Sequence, residues 1–263
     1  MSGALTIYRR ELASLFLSPL AWILLLVALF VNGIFFIEFI SNSQGNVTTS
    51  LALMLGGAYT FWAFLVFFPP LLTMRLLSEE ARSGTLEYLL TAPVGDAAVV
   101  VGKFLAATSF MAILWASVLV YALAVDWLGV APDWGSVLGG YLGAVLASGL
   151  FISIGMLASS LTATPLVAAF LAFIACLLWL ILPSLGELLL IQVRSLLVHW
   201  AGGVEAAEEW IRAGLDKMNV LSHFQASFLP GVFDTGEVVF FLSWTALFVF
   251  LTTRVLEARR WRI

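Results

Sequence analysis

Residues 78–103 read SEEARSGTLEYLLTAPVGDAAVVVGK and stand between two long uncharged apolar runs. Four acids (Glu79, Glu80, Glu87 and Asp96) face two bases, Arg82 and Lys103. Carboxylates and cations about one helical turn apart can pair with each other or present charge to a partner. The local order predicts a short helix: Ser78 is placed to cap it, and Glu79 and Glu80 fall in its first turn, where acids suit the helix dipole. Arg82 lies three residues beyond Glu79, within pairing reach. Gly84 interrupts this helix, Thr85–Leu90 supplies a further turn with Leu86, Leu89 and Leu90 as an apolar face, and Pro93 ends it. Asp96 is then placed to cap the helix that runs through Lys103 into the next apolar run. The residues alone leave two readings open: a docking surface for a soluble partner, or a solvated loop whose charges only fix membrane topology.

Catalytic residues are not indicated. The histidines, His199 and His223, lack the spacing of a metal-binding pair, and H-E-x-x-H is missing. Six residues separate Gly95 from Gly102–Lys103 where a nucleotide-binding P-loop has four. Phe104 stands where Ser or Thr would hold magnesium. The single cysteine, Cys176, lies in an apolar run, so a cysteine cluster is not available. The expectation is that the chain has no catalytic or metal site and no cofactor of its own.

The elements that must position the charged island are set by composition. Of 263 residues, 62% are hydrophobic and 11% charged, with a net charge of −4; mean hydropathy is +1.06. A soluble domain carries roughly 25% charged residues, so a water-facing surface cannot be built, and bilayer must replace most of the solvent. A basic stripe for nucleic acid is missing. Spanning takes about 20 mostly apolar residues. Six segments qualify, over 20–39, 51–72, 104–125, 137–161, 165–185 and 238–253. The sixth is short and needs its flanking bases to snorkel. The fold class expected is an all-α integral membrane protein of one domain, 1–263.

Lys and Arg placement orients it. Arg9, Arg10, Arg75, Arg82, Lys103, Arg254, Arg259, Arg260 and Arg262 share one side if both termini are cytoplasmic, whereas the short loops 41–49 and 126–133 hold no base. Arg9, Arg10 and Glu11 precede the first apolar run and no A-x-A-like site follows it, which argues against a cleaved signal peptide. Leu5–Leu17 sets Leu5, Tyr8, Leu12, Leu15 and Phe16 near one face and Arg9, Arg10 and Ser14 elsewhere, the pattern of a helix lying in the inner membrane interface. The segment 186–236 is too long for a structureless connection and is expected to form two outer helices.

Small residues recur four apart at Gly139–Gly143, Gly140–Ala144–Ser148 and Gly155–Ser159. They permit close helix approach, either within the chain or at a dimer or transport-path face. Pro69–Pro70 is expected to kink the second span.

The stretch FPPLLTMRLLSEEARSGTLEYLLTAPVGDAAVVVGKFLAA resembles the corresponding region of ABC transporter permeases of the second exporter type, and most of all the gliding-motility-associated permease subfamily. The opening YRRELASLFLSPLAW and the ending LSHFQASFLPGVFDTGEVVFFLSWTALFVFLTTRVLEARRW are similar to the same subfamily. This resemblance implies a six-span permease subunit of the bacterial inner membrane that pairs with a second permease, as a homodimer or heterodimer. It also implies a cytoplasmic ABC ATPase partner that carries ATP and magnesium. It implies contact with that ATPase through the interfacial helix, with Arg9, Arg10 and Glu11, and through a coupling segment 78–90. On that segment Glu79, Glu80, Arg82 and Glu87 are the coupling candidates. Parts of the first, second and fifth spans would line the path. Two other functions fit the composition: a membrane anchor of an envelope complex, or a membrane-embedded enzyme using Glu187, His199 or His223.

Overall fold

The computed structural model describes residues 2–85, 95–197 and 204–260, all helix and turn without strand. Helix α1 (Ser2–Leu17) turns at Ser18, which is extended, into α2 (Pro19–Asn42) with Pro19 in its first turn, where a missing N–H costs nothing. The second span is composite. It comprises α3 (Val47–Ala52), a π-helical turn Leu53–Gly57 and α4 (Tyr59–Thr73), and leads to α5 (Ser78–Ser83). There follow α6 (Asp96–Trp127), α7 (Trp134–Leu161), α8 (Pro165–Leu197), α9 (Val204–Asp216), α10 (Val220–Ser227) and α11 (Thr235–Arg260).

Among the described residues, six helical stretches are long and apolar enough to cross a membrane. These are α2, the composite Val47–Ser83, α6, α7, Pro165–Gln192 of α8 and Thr235–Arg259 of α11. The last is longer than its uncharged core because the helix continues through Thr252 and Thr253, whose hydroxyls donate to Phe248 and Val249 carbonyls, into the basic end. Helix α8 likewise continues past residue 185 to Leu197, so the first part of the expected outer segment belongs to the fifth span's own helix.

Helix α7 is the centre of the bundle: 78% of its spanning window is buried, against 17% for α8 and 22% for α2 and α11. Lipid chains are as apolar as leucine, so burial of apolar surface does not draw helices together in a bilayer, and close packing must. The small residues of α7 supply it. A Cβ on Gly140 would lie 2.9 Å from Leu55, and one on Gly143 would meet Phe228 and Phe224 at 2.7 and 2.8 Å. On Gly155 it would stand 2.3 Å from Thr73 Oγ1. The small-residue stripes therefore serve contacts inside the chain. At the centre of this core Trp115 Nε1 donates to Ser148 Oγ at 2.9 Å, and that hydroxyl donates to the Ala144 carbonyl at 2.7 Å.

The break in the second span is not at Pro69–Pro70, through which α4 runs to Thr73. It falls at Leu55 (φ −98°, ψ 24°) and Gly56 (φ 130°, ψ −10°). Irregular backbone at membrane depth survives only where protein covers it. Here Trp62 Nε1 donates to the Gly56 carbonyl at 3.0 Å, and Phe224 of α10 packs on Phe61 and Trp62 at 5.2 and 5.3 Å. Asn219 caps α10 by accepting from Ser222 N–H at 3.2 Å. Thus α10 is seated in the bundle rather than lying on its surface, with Phe224 and Phe228 fully buried.

Candidate functional site: the junction of α1, α5 and α6

The charged island and the N-terminal helix meet at one end of the bundle. Helix α1 lies along the first turns of α6. Gly102 makes this approach possible, since a Cβ there would lie 2.9 Å from the Ala4 carbonyl oxygen and 2.9 Å from Ile7. Tyr8 and Ser109 hydroxyls bond at 3.2 Å, and Phe16 packs on Phe110 at 5.6 Å. Helix α1 packs on protein through Ile7, which is buried, while Leu5, expected on the face toward the membrane interface, is exposed.

Helix α5 is short, and its start is held from another element. Ser159 Oγ of α7 accepts from the Leu77 and Ser78 N–H groups at 3.3 and 3.2 Å and lies 3.4 Å from the Met74 carbonyl, to which it donates. The expected cap, Ser78, does not act as one: the N-cap position is Leu77, and the Ser78 hydroxyl donates back to the Met74 carbonyl. Leu77 and Ser78 are both buried against the bundle, so the free N–H groups of the first turn find their acceptor on α7. Gly84 ends the helix in the left-handed region at φ 73°, a conformation glycine adopts without the Cβ penalty. Asp96 is also not a cap. Gly95 occupies that position without a side-chain bond, and Asp96 is buried in the first turn of α6.

At the centre is Lys103, 1% exposed. Its Nζ donates to Glu80 Oε1 of α5 at 2.8 Å and lies 3.1 Å from Glu11 Oε1 of α1. Arg10 bonds Glu11 at 2.8 Å and approaches Glu80 at 3.6 Å. The bond to Glu11, aided by the charges of Glu11 and Glu80 and opposed by partial burial, holds the Arg10 guanidinium above its ordinary value. A buried charge is expensive unless it is paired and hydrogen-bonded, and Lys103 has a carboxylate from each of two elements.

The other candidates divide by position. Glu79 pairs with Arg75 at 3.8 Å, not with Arg82, because α5 turns it back toward the end of α4. Both partners are more than half exposed, and such a pair contributes little stability. Arg82 is exposed and has no ion pair among the described residues. Arg9 is exposed on α1. Glu87, with the rest of residues 86–94 and so most of the expected second turn and the Pro93 stop, lies outside the described residues. An open cleft of about 510 Å³ separates α1 from α4 and α5, with Arg10, Ser14, Arg75, Glu79, Glu80 and Lys103 on its walls.

Nothing comparable gathers elsewhere among the described residues. His223 Nδ1 bonds Glu237 Oε2 at 2.7 Å at the far end, and Glu187 is exposed; His199 lies outside the described residues. No group of three His, Cys, Asp or Glu side chains is placed to hold a metal among the described residues.

Residues 15–182 match the family described as ABC-2 family transporter protein, more than half of the chain. The chain belongs to the ABC-2 transporter family. A comparison with curated proteins finds no match. The family match runs from the last residues of α1 through α5 into the fifth span, so it includes Glu80, Lys103 and Ser159 of the junction but not Arg10 or Glu11. This ABC-2 protein is the multi-pass membrane permease component of a transporter whose ATPase is a partner.

Sequence reasoning named two residues of the junction without giving them their part in it. Ser159 entered only as a member of a small-residue stripe, since a serine near the end of an apolar helix usually bonds its own backbone. Lys103 gives a faint signal: it stands inside the apolar run VVVGKFLAA, not in the polar loop, where a base that only marked topology would be free to sit.

Proposed function

We propose that this ABC-2 permease is an exporter subunit of the gliding-motility-associated type, in a bacterial inner membrane, with both termini and the Lys103 junction on the cytoplasmic side. The clustering of Lys and Arg at that end supports the orientation. The whole chain, 1–263, serves as one permease domain, with 78–90 as its coupling segment and 186–236 as its outer segment. Its ATPase partner binds ATP and magnesium and docks on α5 and α1. A second permease, a copy of this chain or a relative, completes the path, and the weakly buried faces of α2, α8 and α11 suit such a neighbour and lipid.

The observation that carries the reading is the mounting of α5. A six-residue helix is fixed to the central helix by Ser159 and to α1 and α6 by Lys103, yet it leaves Glu79 exposed at an open cleft and Arg82 exposed on the same helix. A push on such a helix is transmitted to the spans without being dissipated by local unfolding. Nucleotide-dependent contacts then shift the permease pair between inward-open and outward-open packings.

Reversing both exposed charges, Glu79→Lys with Arg82→Glu, is expected to lower permease-stimulated ATP hydrolysis by about tenfold or more, because like charges then oppose across the contact. Thermal unfolding of the spans should not change. The measurement uses the chain co-expressed with its transporter's ATPase in liposomes. Undiminished stimulation would remove α5 from the docking surface. The envelope-anchor reading predicts ATPase binding without substrate movement, and the enzyme reading predicts turnover lost with His223→Ala; His223 pairs with Glu237 at 2.7 Å, and no third His, Cys, Asp or Glu joins them in a metal-holding cluster among the described residues.

A further inference from the structure

We infer that Lys103 is the positioning residue that joins α1 to α5, so that the two move as one body, and that Glu11 and Glu80 are its internal ties rather than docking contacts. The inference rests on the coupling reading above and divides its candidate residues into two sets. Glu80 and Glu11 point inward: their Oε1 atoms lie 2.8 and 3.1 Å from the Lys103 amine. Glu80 Oε2 is buried and has no hydrogen-bond partner. An ATPase cannot take Glu80 as a contact without first stripping Lys103 of it and leaving the amine buried with one partner. Glu79, Arg75 and Arg82 are exposed and free of that constraint.

The geometry also explains why α1 and α5 need a tie. They come from segments far apart in sequence and have no backbone ladder between them. Each has its own anchor, α1 on Gly102 and Ser109 of α6, α5 on Ser159 of α7. Relative motion of α6 and α7 would pull them apart. Lys103 spans the gap with a charge-assisted bond on each side, and Arg10 repeats the bridge at the cleft wall, bonding Glu11 at 2.8 Å and approaching Glu80 at 3.6 Å.

Spin labels at Ala13→Cys on α1 and Ser83→Cys on α5, both exposed positions, read the tie directly. The native Cys176 is fully buried and does not compete for label. In liposomes the otherwise native chain is expected to give one narrow distance, the same in nucleotide-free and nucleotide-trapped complexes. Lys103→Met should broaden it and lower permease-stimulated ATP hydrolysis by about tenfold while the ATPase still co-purifies, because the buried pair is broken at its centre. Lys103→Arg, which keeps charge and donors, should restore the narrow distance and most of the stimulation. Glu80→Gln, milder because Lys103 keeps Glu11, should broaden the distance in the same direction. A narrow distance retained in both Lys103→Met and Glu80→Gln overturns the inference. The distance is measurable without any ATPase, so a native complex that fails to form overturns the coupling reading alone.

Discussion

Gly56→Ala should destabilise the protein by about 3–5 kcal/mol, the sum of two separate costs. The first is conformational: φ 130° with ψ −10° is a backbone state L side chains rarely adopt. The second is steric, since a Cβ at that position would stand 2.1 Å from Cε1 of Phe224. Relief by moving Phe224 is closed off, because its ring is fully buried between Phe61, Trp62 and Phe228. Thermal unfolding in nanodiscs, followed by the fluorescence of buried Trp62 and Trp115, measures the loss. Gly214→Ala is the control. A Cβ there meets nothing within 4 Å, and the residue lies inside α9, so the change is expected to be neutral or to stabilise that helix by up to about 1 kcal/mol.

Gly102→Val should do the opposite kind of damage, sparing the spans and removing the function. Its side chain would enter the contact between α6 and α1, where a Cβ already stands 2.9 Å from the Ala4 carbonyl oxygen and from Ile7. The Ala4 oxygen is backbone and cannot rotate away, so α1 must lift. Lifting breaks the Tyr8–Ser109 bond and the Phe16–Phe110 contact and takes Glu11 from Lys103. The expected result is faster amide exchange over residues 2–17 and a fall in permease-stimulated ATP hydrolysis of about tenfold or more. Midpoint unfolding of the bundle should shift far less than in Gly56→Ala. Gly95→Ala, where a Cβ meets nothing within 4 Å, should leave both readouts unchanged.

The spans were legible because bilayer thickness is a length test that composition answers directly. The charged island was legible for the same reason, as the place where the apolar runs stop. Local capping chemistry was less so. Ser78 and Asp96 have the right residue type one step too late: the chain enters each helix through Leu77 and Gly95, and burial of Leu77 puts the acceptor on Ser159, a long way off in sequence. Such a cap is a tertiary contact and carries no local pattern. Pro69–Pro70 is the visible signal in the second span, and the larger irregularity gives none. Proline removes a donor, but α4 accommodates both, while the real break at Leu55–Gly56 depends on Phe224 and Trp62 arriving to cover it. Lys103 shows the limit most clearly. Sequence shows a base at the edge of a span; that it is buried and shared between Glu11 and Glu80 follows only from α1 folding back onto α6.

The most direct test of the coupling surface is photo-crosslinking in intact membranes, with a photoreactive residue placed in turn at positions 79, 82 and 127. Glu79 lines the open cleft at the α1–α5 end and Arg82 is exposed on the same short helix, whereas Trp127 is 90% exposed at the other end of α6. Adducts to the transporter's ATPase are expected from positions 79 and 82 and none from 127. Adducts from 127, or from neither 79 nor 82 while the complex is intact, would contradict the assignment of α5 as the surface through which ATP hydrolysis reaches the spans.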